Sequence, residues 1–176
     1  GFSFMQDGPL DMRFGINATM SADEIINTFD QKELADIIFR YGEDRDSRKI
    51  AKAIVMNRPL HTTRELVAVI EKASPRYGDR VHPATQTFQA LRITVNGELA
   101  AVEKTLPQAV AALRSGGRCA IISFHSLEDR IVKEYFREQS KDLVNPPYER
   151  IYEEERKAVV KLVNKKPIVP SEEEIK

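Results

Sequence analysis

The sequence predicts an α/β fold that, in the chain as it stands, is mostly helical. Three observations carry that expectation. Residues 21–73 hold apolar stripes at helical period behind three start signals of the form Ser/Asp/Thr-x-x-Glu. Phe88, Leu91, Val95, Leu99, Val102 and Leu106 recur at three- and four-residue steps in a further helical stretch. Gly116-Gly117 then precede a short apolar run, Cys119 to Phe124, which passes through His125-Ser126 into another helical period. Glycine pair, strand, turn and helix is the order expected of a sheet protein.

A chain of 176 residues is long enough for one good core, or for a core and a small second lobe. Lys plus Arg equals Asp plus Glu at 27 each, so no global field argues for nucleic acid, and any RNA-binding surface must come from local clustering. Charged residues make up 31% and the mean hydropathy is −0.41. No apolar run approaches the roughly 18–20 residues that span a bilayer, and the expectation is a cytoplasmic protein with no membrane partner. The single Cys119 cannot form an internal disulfide and reads as a small core residue of the expected strand.

Residues 1–17, punctuated by Gly1, Gly8, Pro9 and Gly15, read as a loop carrying Phe2, Phe4, Asp7, Asp11 and Arg13. Asp11 and Arg13 suit either a tie to each other or contact with a ligand. Gly1-Phe2-Ser3-Phe4 looks like the middle of a loop, so an upstream part is expected. Four short helices follow. Ser21 with Glu24, Asp30 with Glu33 and Thr62 with Glu65 have the capping-box spacing. In the second helix Leu34, Ile37, Ile38 and Tyr41 form the inward stripe and Gly42 is expected at the left-handed C′ position. In the third, Ile50, Ala51 and Ile54 face inward, Arg45, Arg48, Lys49 and Lys52 crowd the outside, and Arg58-Pro59 ends the helix. This basic face suits phosphates, and it equally suits plain solvation.

Ala73 to Val81 reads as a linker, and a long helix is expected to start near His82-Pro83. Thr85, Gln89, Arg92 and Asn96 lie on one line about 100° from its apolar stripe, at the edge of the buried face, as cleft-lining or as ordinary boundary residues. Pro107 is expected to break or restart the helix, which reaches Leu113. After the strand, Ser126 and Asp129 form a capping box that starts a helix at Leu127. Its inner face is Leu127, Ile131, Val132, Tyr135 and Phe136, and Glu128, Asp129, Arg130, Lys133 and Arg137 remain for solvent or a ligand. In open α/β sheets a pocket lies beyond the carboxyl ends of the strands, where His125 to Arg130 would stand. Lys141 to Arg156 reads as an excursion, Ala158–Val163 and Pro167–Val169 as a weak hairpin, and Glu172–Lys176 as a frayed end.

One clear strand and two weak ones do not make a parallel sheet, so other strands must be supplied from elsewhere. None of the eight glycines forms a glycine-rich turn between a strand and a helix, so a nucleotide-type cofactor loop is not expected in this chain. His61, His82 and His125 are far apart without a second ligand at helical or turn spacing, and no metal site is expected. A nucleophile elbow is missing as well.

Four blocks in order carry a resemblance. They are Gly1-Phe2-Ser3-Phe4-Met5-Gln6-Asp7-Gly8-Pro9-Leu10-Asp11-Met12-Arg13; Tyr41-Gly42-Glu43; His82-Pro83-Ala84-Thr85-Gln86-Thr87-Phe88-Gln89-Ala90-Leu91-Arg92-Ile93 with Asn96 and Glu98-Leu99; and Phe124-His125-Ser126-Leu127-Glu128-Asp129-Arg130. Together they resemble the 16S rRNA cytosine-N4 methyltransferases of the RsmH (MraW) type. The resemblance covers nearly the whole chain, with little of it in Lys141–Lys176.

It implies a class I Rossmann-like methyltransferase domain, incomplete in this chain, with an inserted all-helical lobe. Residues 1–13 would be a loop of the methyltransferase domain, 14–81 the inserted helical domain, and 82–176 the carboxyl-terminal part of the methyltransferase domain. The implied methyl donor is S-adenosylmethionine, whose main binding residues are expected upstream of Gly1, so no cofactor-binding residue is assigned here and the chain alone is expected to be inactive. The implied partners are the small ribosomal subunit and its 16S rRNA, with room for a homodimer. On the substrate side, Asp11 or His125 would polarise the amine, Phe2 or Phe4 would stack on the base, and Arg13, Arg92, Arg130 and Lys133 would meet phosphates, with Asn96 and Ser126 beside the substrate. The rival expectation is a helical RNA-binding module without chemistry, and a third is a purely structural remnant.

Overall fold

In the computed structural model, the described residues are 4–15, 18–75, 81–142, 157–164, 166–171 and 173–174. They form seven helices: α1 Ala22–Thr28, α2 Gln31–Gly42, α3 Ser47–Met56, α4 Thr63–Ala73, α5 Ala84–Asn96, α6 Glu98–Ala111 and α7 Ser126–Gln139. The chain divides into two compact units, Gly1–Ala101 and Val102–Lys176. No helix among the described residues is long and apolar enough to cross a membrane.

The three expected capping boxes all form. Ser21, Asp30 and Thr62 each accept the backbone N–H three residues on, and Glu24, Glu33 and Glu65 return the bond. Each box satisfies donors that a helix start leaves open, a contribution of about 1 kcal/mol per cap. Behind these caps Ile25, Ile26, Leu34, Ile38, Ile50, Ile54, Leu66, Ile70 and Leu91 are fully buried in one core with Leu10, Met12, Leu60 and Phe88. Burial of each such side chain contributes about 1.5–3 kcal/mol. The other end of α1 is closed from a distance: the Arg58 guanidinium donates to the carbonyls of Ile26, at 2.6 Å, and Phe29. Asn27 exchanges two bonds with the Leu60 backbone, at 2.8 and 3.0 Å.

Several expectations are corrected. Gly42 is the last helical residue of α2, and Glu43 takes the left-handed conformation at φ 52°. A Cβ on Gly42 would stand 2.5 Å from the Gln86 carbonyl oxygen, so this glycine is set by the close approach of α2 to α5. The long helix is two: Gly97, at φ 60°, ends α5, while Pro107 lies inside α6 without ending it. All four residues of the polar line are half-buried, and three are committed within the chain. Gln89 donates to the Tyr41 carbonyl, Arg92 pairs with Glu98, and Asn96 bonds to the loop at Met12 and Phe14.

The expected strand does not form. Residues 118–123 carry no regular secondary structure and no ladder partners, Ile122 is 82% exposed and Phe124 90%, and Cys119 is exposed rather than buried. The hairpin of 158–163 and 167–169 is likewise not a hairpin among the described residues. A strand is stable only when neighbours satisfy its N–H and C=O groups, and the described residues offer none. The one β-type pairing among the described residues is an isolated antiparallel bridge between Pro9 and Thr62. The start of α7 is shifted by one residue: His125, not Ser126, is the N-cap. Its ring accepts from the Glu128 N–H, while Glu128 accepts the Phe124 N–H at 2.8 Å. Asp129 instead pairs with Lys133 at 3.2 Å. The excursion reading of Lys141–Arg156 falls mostly, and the linker reading of Ala73–Val81 partly, outside the described residues.

Candidate functional site

The site residues of the first unit gather on the loop before α1 and on α5. Residues 6–14 are stitched to the helices at several points. Thr63 N–H donates to the Gly8 carbonyl, Leu10 N–H to that of His61, and Ala22 and Asp23 N–H to those of Asp11 and Leu10, all between 2.6 and 3.0 Å. At its far end Met12 is buried with φ 61°, an uncommon conformation for a side chain of that size. Asn96 holds it there: its amide donates to the Met12 carbonyl at 2.9 Å, and its oxygen accepts the Phe14 N–H at 2.8 Å. Asn96, expected beside the substrate, therefore positions the loop that carries Asp11 and Arg13.

Asp11 and Arg13 form a fork-like pair, with Nε to Oδ1 at 2.6 Å and Nη2 to Oδ2 at 2.9 Å. The Arg13 side chain holds the Asp11 carboxyl below its ordinary range, so Asp11 is an ionised acceptor near neutral pH. Arg92 is paired in the same manner with Glu98, at 2.9 and 3.0 Å. Phe2 lies outside the described residues. Phe4 packs obliquely against both His82 and Phe88, with ring centroids 5.0 and 5.1 Å away.

A cleft of about 200 Å³ opens beside Phe4, lined also by Met5, Asp7, Arg64, Val67 and His82. Asp7 Oδ1 accepts from the N–H groups of Gly8 and Arg64, at 3.1 and 3.2 Å, and from the Thr63 hydroxyl at 3.4 Å. These donors, the Arg64 N–H foremost, lower the Asp7 pKa. The His82 ring is fixed at both nitrogens: Nδ1 accepts the Ala84 N–H at 3.1 Å, and Nε2 faces Glu71 at 3.1 Å. The sequence reading placed Asp7 on the loop but gave it no role, and it gave none to Arg64 or His82. Their convergence rests on the Pro9–Thr62 bridge, which joins distant parts of the chain and has no local signature.

In the second unit His125, Ser126, Arg130 and Lys133 share the first turns of α7. His125 Nδ1 accepts the Glu128 N–H at 3.4 Å, and Nε2 is buried, 3.5 Å from Glu128 Oε1, without a hydrogen bond. With Nδ1 used as an acceptor, the neutral ring carries its proton on Nε2 and offers a donor there. Ser126 and Arg130 are exposed, and Lys133 is engaged by Asp129.

A glycine-rich turn joining a strand to a helix, which would cradle a nucleotide-type cofactor, does not occur among the described residues. Gly116-Gly117 precede a segment without regular secondary structure, and the start of α7 contains no glycine.

Comparison with known proteins gives consistent matches. The model of the MraW methylase family matches residues 1–176. A protein of Dehalococcoides mccartyi (strain 195) is 50% identical over 175 residues, covering 99% of this chain and 50% of that protein. One from Clostridioides difficile (strain 630) is 48% identical over 180 residues, covering 99% and 58%. One from Lawsonia intracellularis is 50% identical over 182 residues, with the same coverages. Each is named ribosomal RNA small subunit methyltransferase H. The chain spans roughly half the length of these curated relatives.

Proposed function

The chain belongs to the MraW methylase family, and from that membership we propose that it serves S-adenosylmethionine-dependent methylation of the exocyclic N4 amine of a cytidine in small-subunit (16S) ribosomal RNA. The observation that carries the reading is the family match along residues 1–176, with relatives near 50% identity that bear the name of a ribosomal RNA methyltransferase. As the family resemblance implies, the main contacts to the methyl donor are assigned to the part of the relatives' length that this chain does not span. The exposed apolar segments 119–124, 158–163 and 167–169 would pair with strands of that part, in a class I Rossmann-like sheet. In this reading the chain contributes the substrate side, works in the cytoplasm and acts on small ribosomal subunits.

The chemistry asks three things of such a side. The N4 lone pair is delocalised into the ring, so the base must be held out of its stack with its amine aligned. An acceptor must polarise the amine N–H, and cations must hold the backbone phosphates. Asp11, kept ionised by Arg13, suits the acceptor, and His125, whose buried Nε2 is a donor in this tautomer, would polarise the base through one of its own acceptor atoms. Phe4, and Phe2 beside it in sequence, supply aromatic faces. Arg13, Arg92, Arg130 and Lys133 supply cations, and the pairs that now hold Arg13 and Lys133 are exposed enough to exchange for phosphate at small cost.

The test uses a protein of the relatives' full length that carries this sequence, with small subunits as substrate. Asp11→Asn and His125→Ala are expected to slow methyl transfer by about 10²-fold with little change in S-adenosylmethionine affinity. Wild-type rates from both variants would overturn the residue assignment. The exposed row Arg45, Arg48, Lys49 and Lys52 favours a second reading, a helical RNA-binding module without chemistry. Subunit binding with no transfer at full length would establish that reading instead.

A further inference from the structure

The cleft beside Phe4 combines three kinds of group that seldom meet by chance. We propose that it binds a single nucleotide of an RNA strand whose base carries an exocyclic amine. The proposal rests on the RNA substrate assigned above and gives that substrate a pocket.

The walls suit a base and little else. Phe4 is half-buried and braced by buried Phe88, so its ring is held in place while remaining partly accessible. Both nitrogens of His82 are occupied, by the Ala84 N–H and by Glu71, so this ring can offer a ligand only its face. Val67 completes the apolar lining. A base stacked on an aromatic side chain gains about 1–3 kcal/mol without regard to its identity. At about 200 Å³ the cleft is smaller than the roughly 300–1,000 Å³ typical of pockets for drug-sized ligands, which suits one nucleotide rather than two.

Identity comes from Asp7. Asp7 lines the cleft, and the hydrogen bonds that Gly8, Thr63 and Arg64 make to its carboxylate arrive on Oδ1. The same bonds keep the group ionised and fixed in orientation. An ionised oxygen attracts the N–H groups of a cytosine-type amine and repels the carbonyl that uracil presents at the same position. Arg64, exposed on the first turn of α4 and without an ion pair among the described residues, is placed to meet the phosphate. Among the described lining residues, Arg64 is the permanent cation that offsets Asp7.

The experiment titrates the isotopically labelled chain with cytidine 5′-monophosphate, uridine 5′-monophosphate and inorganic phosphate, following the backbone amide resonances of Gly8, Thr63 and Arg64. Cytidine monophosphate is expected to saturate with a Kd at least about fivefold below that of uridine monophosphate, and phosphate alone to bind more weakly than either. Asp7→Asn keeps Oδ1 for the backbone donors and turns Oδ2 into a donor, so it should reverse the order of the two nucleotides. Arg64→Gln should weaken both and keep the order. Equal affinities for the two nucleotides, equal shifts from phosphate alone, or no saturation would each overturn the proposal. Should Asp7→Asn disturb the loop, Phe4→Leu retains packing on Phe88 but removes the stacking face, and unchanged cytidine monophosphate binding by that variant would overturn it as well. Nucleotide binding here involves no methyl transfer, so a failure of this pocket and a failure of the proposed reaction show up in different assays.

Discussion

Ile54 and Ile122 are the same residue in opposite circumstances. Ile54, on α3 in the first unit, is completely buried in the core that α3 shares with α1, α2, α4 and α5. Ile122, in the irregular stretch of the second unit, is 82% exposed, and Phe124, Val159, Val163, Ile168 and Val169 share its condition. Helices satisfy their own backbone groups and need only cover one face, which several short helices can do for one another within a hundred residues. A strand has to find both backbone and side-chain partners in other strands. The first unit thus closes on itself, while the second displays apolar sequence that finds no ladder among the described residues.

Substitution at those two positions is the most direct way to break the comparison. Ile54→Ala should destabilise the first unit by about 2–5 kcal/mol, since it removes buried methyl groups and leaves a cavity. Ile122→Ser should change the stability of this chain by no more than about 0.5 kcal/mol. Urea titration followed by circular dichroism reads both. A large loss from Ile122→Ser would mean that the irregular segment already packs in this chain.

The second contrast lies within the first unit and sets propensity against packing. Gly42→Ala in an ordinary helix would be favourable by about 1 kcal/mol. Here the new Cβ meets the Gln86 carbonyl oxygen at 2.5 Å, with the Gln86 carbonyl carbon and the Ala90 side chain close behind. Backbone cannot yield as a side-chain tip can, so overpacking should win, with a net loss of about 1–3 kcal/mol in the same titration. A gain in stability would show that α2 and α5 separate easily.

What the sequence disclosed and what it hid divide along the same physical line. Ser21 with Glu24, Asp30 with Glu33 and Thr62 with Glu65 are contacts three residues apart, and all were legible. Gly42 was visible as a glycine at a helix end, but its reason, Gln86, lies on another helix and leaves no local trace. His125 and Ser126 compete as caps one residue apart, and the pairing of Glu128 back to the Phe124 N–H decides for His125. The strand at Cys119–Phe124 was read from composition that describes a complete sheet, whereas these residues find no ladder within the described chain. At the candidate site, the Asp11–Arg13 tie and the edge position of Asn96 were legible, since both follow from spacing. The cleft of Asp7, Arg64 and His82 was not, because it depends on a bridge between residues 9 and 62.

The smallest expected effect sharpens the comparison through pH. In the first unit Asp7, Asp11 and Glu65 all have lowered pKa values, caused foremost by the Arg64 N–H, the Arg13 side chain and the His61 N–H respectively. In the second unit Glu174, bonded by the Ser171 N–H, is the one such carboxyl among the described residues. A carboxyl whose pKa is lower in the folded state than in the unfolded chain stabilises the fold fully above its unfolded value, 3.8 for Asp and 4.5 for Glu. Its contribution is then lost as pH falls through the folded value. The melting temperature of the first unit should therefore stay level from pH 7 to about pH 5 and decline below about pH 4.5. These carboxyls are largely solvated, so the decline should be gradual. Glu65→Gln keeps an acceptor oxygen for the capping box but removes the charge, and should flatten the upper part of the decline in thermal melts followed by circular dichroism. Since Glu65 joins His61 and Thr62 to the start of α4, a variant that melts with an unchanged acid profile would assign the pH dependence to Asp7 and Asp11 on the loop rather than to the helix cap.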